Sequence, residues 1–203
     1  MSTLPTLSAV EFEIVYNMLS LAIAAMFGSF AFFVMSRQQL APRFRPAMIM
    51  SSLVVGIAGY HYWRIFGSWD EAYSLTEAGT YVASGQPFND AYRYVDWLLT
   101  VPLLGAELIA VLALAPIVRK GLMGKIIIAA VLMIATGYPG ELASDFTTRA
   151  VWGTVSTIPF LYIVYALWVE LGKATTNAAP QVKTLLRNTR LLLIGTWGFY
   201  PIA

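Results

Sequence analysis

Six apolar runs alternate with short polar connections along this chain, at residues 10–36, 44–67, 91–115, 122–141, 150–172 and 184–203. A hydrocarbon core of about 30 Å takes roughly 20 helical residues at 1.5 Å each, and every run reaches that length. An open strand in lipid would leave its backbone polar groups without partners, so the pattern predicts six transmembrane helices. The connections are polar and turn-rich: "SRQQLAPRFRP" follows the first run, "RKGLMGK" opens the fourth, and "GKATTNAAPQVK" joins the fifth to the sixth. The longest link, "SWDEAYSLTEAGTYVASGQPFND", has turn formers around "TYVASG" and predicts a short hairpin there. No internal repeat or low-complexity segment interrupts this all-α, polytopic pattern.

The ends of the chain add two expectations. "MSTLPTLSAVEFEIVY" has no basic segment ahead of its apolar run, unlike a cleaved signal peptide, so the first helix is expected to stay. The sixth run starts at Lys183 and reaches "GTWGFYPIA" without a polar flank. A helix cut part-way, with a seventh beyond residue 203, is the expected arrangement.

Charge turns the six runs into a topology. Arg37, Arg43, Arg45, Arg119, Lys120, Lys125, Lys173, Lys183, Arg187 and Arg190 fall at the first, third and fifth connections, against Arg64, Arg93 and Arg149 on the other side. The positive-inside rule puts the odd connections in the cytoplasm and the N-terminus outside. The composition agrees with a bilayer protein: 58% of residues are hydrophobic and only 12% charged, where a soluble domain carries about 25%. With no cysteine, disulfides and thiolate metal sites are excluded. The net charge of +2 says little about partners, and no nucleic-acid partner is expected.

The chemistry concentrates on the third run, "AYRYVDWLLTVPLLGAE". At 100° per residue Asp96, Thr100 and Glu107 lie within about 40° of one another, with Arg93 about 60° from Asp96. The two carboxyl groups are roughly 16 Å apart along the axis, too far for direct proton transfer. An acid at a membrane helix centre costs about 2.5–3.5 kcal/mol on insertion scales, and such residues mark ion and proton pathways. An outer acid beside an arginine suits a counter-ion and proton acceptor, and an inner acid in drier surroundings suits a proton donor. Structural hydrogen bonding to neighbouring helices is the plain alternative for any one of them.

His61, in "GYHYWRI", has no second histidine or cysteine with which to share a metal, so no metal site is expected. A lone histidine is more often structural, but pairing with a carboxylate across the bundle is the better use of its near-neutral titration. Trp97 and Trp197 sit within apolar runs rather than at the interfaces, and with Tyr94, Trp152, Phe160, Phe199 and Tyr200 they suit a flat apolar ligand between helices as well as ordinary packing. The glycines of "GIAGY" and "GTWG" suit close helix packing.

Together "YRYVDWLLTVPLL", "GYPGE" and "TWGFYPIA" resemble the microbial rhodopsins, nearest the xanthorhodopsin and proteorhodopsin group, from about residue 12 to the end. The resemblance implies seven helices around retinal, bound as a Schiff base to a lysine on the seventh. That lysine is expected beyond residue 203, because Lys120, Lys125, Lys173 and Lys183 all fall at helix ends. The whole chain then reads as a single rhodopsin domain, a light-driven outward proton pump rather than an enzyme. Position by position, the resemblance makes Asp96 the counter-ion and proton acceptor, Glu107 the proton donor and Thr100 the middle of an acid–threonine–acid motif. Arg93 falls on the proton-release side, and His61 becomes the partner of the counter-ion. Trp97, Leu104, Met133, Gly137, Ser156, Phe160, Trp197, Tyr200 and Pro201 match retinal-pocket positions, and Leu104 resembles green-absorbing members. Gly153 stands where many relatives have tryptophan, leaving room for a carotenoid antenna. The resemblance further implies a homo-oligomer, a pentamer or trimer, in a bacterial plasma membrane. A sensory rhodopsin signalling through a transducer is the alternative, against which Glu107 argues.

Overall fold

The computed structural model describes residues 4–89, 91–112, 116–176 and 179–198. Six α-helices follow one another: α1 (Ala9–Ser36), α2 (Arg45–Ala72), α3 (Tyr92–Val111), α4 (Pro116–Leu142), α5 (Phe146–Thr176) and α6 (Pro180–Trp197). Three segments, Ala9–Gln39, Tyr92–Val111 and Phe146–Lys173, are long and apolar enough by themselves to cross a membrane. Large apolar side chains such as Leu21, Phe32, Ile128, Ile158 and Leu192 are exposed. An apolar surface this extensive would drive a soluble domain to aggregate, and it suits one whose solvent is lipid.

The chain divides into two compact units, Met1–Thr100 and Val101–Ala203. In the first, α1 packs along α2. Two glycines allow the approach: a Cβ on Gly56 would lie 3.0 Å from Phe30 Cδ2, and one on Gly59 would lie 3.2 Å from Phe27 Cε1 and 3.4 Å from Met26 Cβ. The "GIAGY" pair is therefore a packing surface. A Cβ on Gly195 of "GTWG" would meet nothing within 4 Å among the described residues. Gly59→Leu should lower the unfolding free energy by about 1–3 kcal/mol, the usual range for overpacking a fitted contact. Gly28→Ala, on α1 with open space around it, should leave stability unchanged or raised. Denaturant titration of the two variants in detergent checks the contrast.

α1 opens on a capping box: the Ser8 backbone N–H donates to Glu11 Oε2 at 2.8 Å, and the Glu11 backbone N–H donates to Ser8 Oγ at 3.3 Å. Beyond that end lies a small antiparallel sheet of β1 (Leu7–Ser8), β2 (Tyr73–Leu75) and β3 (Thr80–Ala83) in the order β1-β3-β2. Tyr73 pairs with Ala83, and Leu7 with Tyr81. The expected hairpin is present, but "TYVA" is its returning strand. The turn is "TEAG", where Gly79 takes φ 77° and Thr76 Oγ1 donates to the Thr80 carbonyl at 3.0 Å. Phe12 stacks on Tyr81 with centroids 3.8 Å apart, and Trp69 packs on Phe12, Tyr73 and Phe88. This aromatic layer, with the buried Ala72, carries α2 five residues past its apolar run.

In the second unit α4 and α5 pack together, with α6 along α5. The core holds Ile109, Ile126, Ala130, Ile163, Leu167, Leu171 and Leu193. Gly105 clears Ile126, whose Cγ2 would lie 2.5 Å from an added Cβ. α4 starts at Pro116, six residues earlier than its apolar run, with proline in the first helical position where its missing N–H costs nothing. Asp145 precedes α5 and its carboxylate accepts from the Thr148 N–H at 2.8 Å, which holds the carboxyl below the usual range.

Candidate functional site

The first unit brings three of the expected residues together. Among the described residues of this unit, His61 on α2 and Asp96 and Thr100 on α3 are the buried polar side chains besides Ser52, at 7%, 4% and 3% exposure. His61 Nδ1 lies 3.6 Å from Asp96 Oδ1 and 3.0 Å from the Ile57 carbonyl oxygen. Both neighbours are acceptors, so the ring is assigned with its proton on Nδ1. Its own helix orients the ring, and the ring N–H faces the acid. Asp96 Oδ1 is buried and accepts no hydrogen bond. An oxygen in that state has capacity for a strong donor. Thr100 Oγ1 donates to the Asp96 carbonyl at 2.9 Å, so its hydroxyl is bound to the helix backbone. Arg93 and Trp97 are half-buried on the same helix.

Outward of this pair, Arg64 Nη2 donates to Tyr92 Oη at 2.8 Å and Nη1 to Tyr60 Oη at 3.3 Å. Nothing in the periodicity singled out Arg64; only its place three residues after His61 hinted at a shared face.

In the second unit Glu107 and Leu104 are half-buried on α3, Gly137 is buried on α4 and Phe160 is buried on α5. Ser156 Oγ donates across to the Met133 carbonyl at 2.8 Å. Met133 and Trp197 pack against the same core cluster. Gly153 is exposed, with nothing within 4 Å of an added Cβ. Tyr200 and Pro201 lie outside the described residues. Among the described residues no three His, Asp or Glu side chains converge in a metal-binding group.

One expectation needs correction. Lys125 is not at a helix end: because α4 begins at Pro116, it sits in the third turn. Its side chain is exposed and lines a cleft of about 440 Å³ with Tyr162, Glu170 and Lys173, the last of which pairs with Glu170 at 2.6 Å.

The family model for bacteriorhodopsin-like proteins matches residues 13–203. The chain belongs to this family of microbial rhodopsins. The green-light absorbing proteorhodopsin of Gamma-proteobacterium EBAC31A08 is 31% identical over 185 residues, covering 90% of this chain and 68% of the relative. Among solved structures, xanthorhodopsin, described as a light-driven ion pump with dual chromophore, superposes at a TM-score of 0.93 with 51% identity. A thermophilic rhodopsin superposes at 0.92 with 53% identity. Each comparison covers 98% of this chain and 80% of the solved one. Within the rhodopsin family, then, this chain has a buried acid–imidazole pair on α2 and α3 and a second carboxyl group further along α3.

Proposed function

We propose that this chain belongs to a light-driven outward proton pump that uses retinal, as a single rhodopsin domain. The observation that carries the reading is Asp96: a buried carboxyl group facing the His61 N–H, with Oδ1 accepting no hydrogen bond. That oxygen fits a cationic N–H donor, and the resemblance to the microbial rhodopsins makes Trp97, Met133, Phe160 and Trp197 retinal-pocket positions. Retinal, held as a protonated Schiff base, supplies light-driven isomerisation and a proton that can be given up and regained.

The chain's own residues do the rest. Asp96 takes up a proton at Oδ1, while the His61 N–H stabilises the carboxylate before transfer. Arg93, one turn nearer the outer end of α3, favours release of a proton on that side. Glu107 holds a proton on the inner side and delivers it, which resets the cycle. Eleven positions along the helix separate Asp96 from Glu107, so each serves a different half of the membrane. The direction follows from the lysines and arginines at the odd connections, with the N-terminus outside a bacterial plasma membrane and the protein a homo-oligomer within it. Retinal-loaded, full-length protein in cells should acidify the medium under light, and an uncoupler should abolish the change. A light response with no acidification and a cycle of seconds would point to the sensory alternative.

Xanthorhodopsin is a light-driven ion pump with dual chromophore, and Gly153 here leaves open space at the surface of α5. A carotenoid antenna fits against that glycine. Gly153→Trp should abolish carotenoid-sensitised pumping in blue light and leave pumping in green light intact. Action spectra of the two proteins, each supplied with retinal and a carotenoid, decide it: identical spectra remove the antenna.

A further inference from the structure

Two side-chain bridges join α2 to α3, one turn apart. The inner is His61–Asp96, with 3.6 Å between Nδ1 and Oδ1. The outer is Arg64–Tyr92, a 2.8 Å hydrogen bond with the guanidinium also 5.0 Å from the Tyr92 ring centroid. On α2 the two donors are three residues apart, and on α3 the two acceptors are four apart, so both bridges lie along matching helix faces. Side-chain bridges of this kind help set the separation and register of neighbouring helices.

We propose that Arg64 and Tyr92 are positioning residues for the acid–imidazole pair: their bridge fixes where α3 lies along α2, so that the His61 N–H faces Asp96. The inference rests on the reading of Asp96 as the proton acceptor, but its geometry stands apart from pumping. The His61 ring is oriented by Ile57 on its own helix, so what it faces depends on where α3 is held. Arg64 is steadied in the same way, its Nη1 bound to Tyr60 one turn back on α2. Tyr60 therefore presents the guanidinium already aimed at Tyr92, and the outer bridge costs little ordering when it forms. The inner pair sits just beyond hydrogen-bond distance, and a small slip of α3 separates it without unfolding either helix.

The test uses the full-length protein in lipid nanodiscs, as wild type, Arg64→Gln, Tyr92→Phe, the double variant and Arg64→Lys. The Nδ1–H resonance of His61, assigned with His61→Asn, is recorded in the dark. After a flash, the rate at which the Asp96 carboxyl becomes protonated is read from its infrared C=O stretch. Each single variant should shift the His61 resonance towards that seen in Asp96→Asn and slow the transfer about 10-fold, the scale of a sub-ångström misplacement. The double variant should match the singles, because they break one bridge, and Arg64→Lys should recover part of both signals. An unshifted His61 resonance in both single variants overturns the proposal, as do single effects that add in the double. If wild type does not pump but the resonance shifts as expected, the pumping reading fails and the bridge survives. If wild type pumps and the resonance is unmoved, the reverse holds.

Discussion

Asp96→Asn should take up retinal yet leave light-driven acidification about 10²–10⁴-fold below wild type, the range contributed by a positioned proton-transfer group. Asn keeps the size of Asp and offers no carboxylate to protonate. The effect is large because neither side chain beside the acid replaces it: His61 presents its protonated Nδ1 to the acid, and the Thr100 hydroxyl donates to the Asp96 carbonyl. The visible absorption band separates a folded, retinal-loaded variant from one that has collapsed. Acidification at wild-type rate in a variant with that band intact would sink the assignment of Asp96. Asp96→Glu, which restores a carboxyl group one methylene further out, should recover part of the rate.

The residues differ in how plainly they announced themselves. Helix number and order were legible because lipid forces long apolar runs into helices, and the carboxyl groups on α3 were legible because charge in such a run is costly. Asp96, Thr100 and His61 proved buried together, an outcome that the spacing on α3 and the chemistry of a lone histidine anticipated. The elements that escaped are those set by contacts distant in sequence. α2 runs on to Ala72 because Trp69, Ala72 and Tyr73 find Phe12 of α1, 61 positions before Tyr73, and no local periodicity records that. The α1 cap did carry a signal, "SAVE" at residues 8–11 being the serine–glutamate spacing of a capping box. Turn chemistry misled at "TYVASG", where β-formers next to Ser84 and Gly85 belonged to a strand, and Gly79, immediately before that stretch, made the turn. Lys125 was misplaced for a simpler reason: the polar opening of α4 reads as a connection until Pro116 is recognised as a helix start.

The second large effect concerns Glu107. Glu107→Gln should leave the first proton release untouched and slow recovery of the initial state about 10²–10⁴-fold. Glutamine preserves the neutral shape of a protonated glutamate, so the helix keeps its packing while losing a proton to give. Glu107 is half-buried on α3. A small permeant weak acid should restore recovery in proportion to its concentration. Flash absorption with a pH-indicating dye reads both phases in one experiment, release first and uptake second. Equal recovery rates in wild type and variant would remove Glu107 from the proton path. A wild type that already recovers over seconds, with no change on substitution, would move the whole protein to the sensory class, because a transducer gains time from a slow cycle and has no use for an inner donor. A delay confined to uptake, and relieved by the weak acid, is the outcome that a dedicated donor on the inner half of α3 requires.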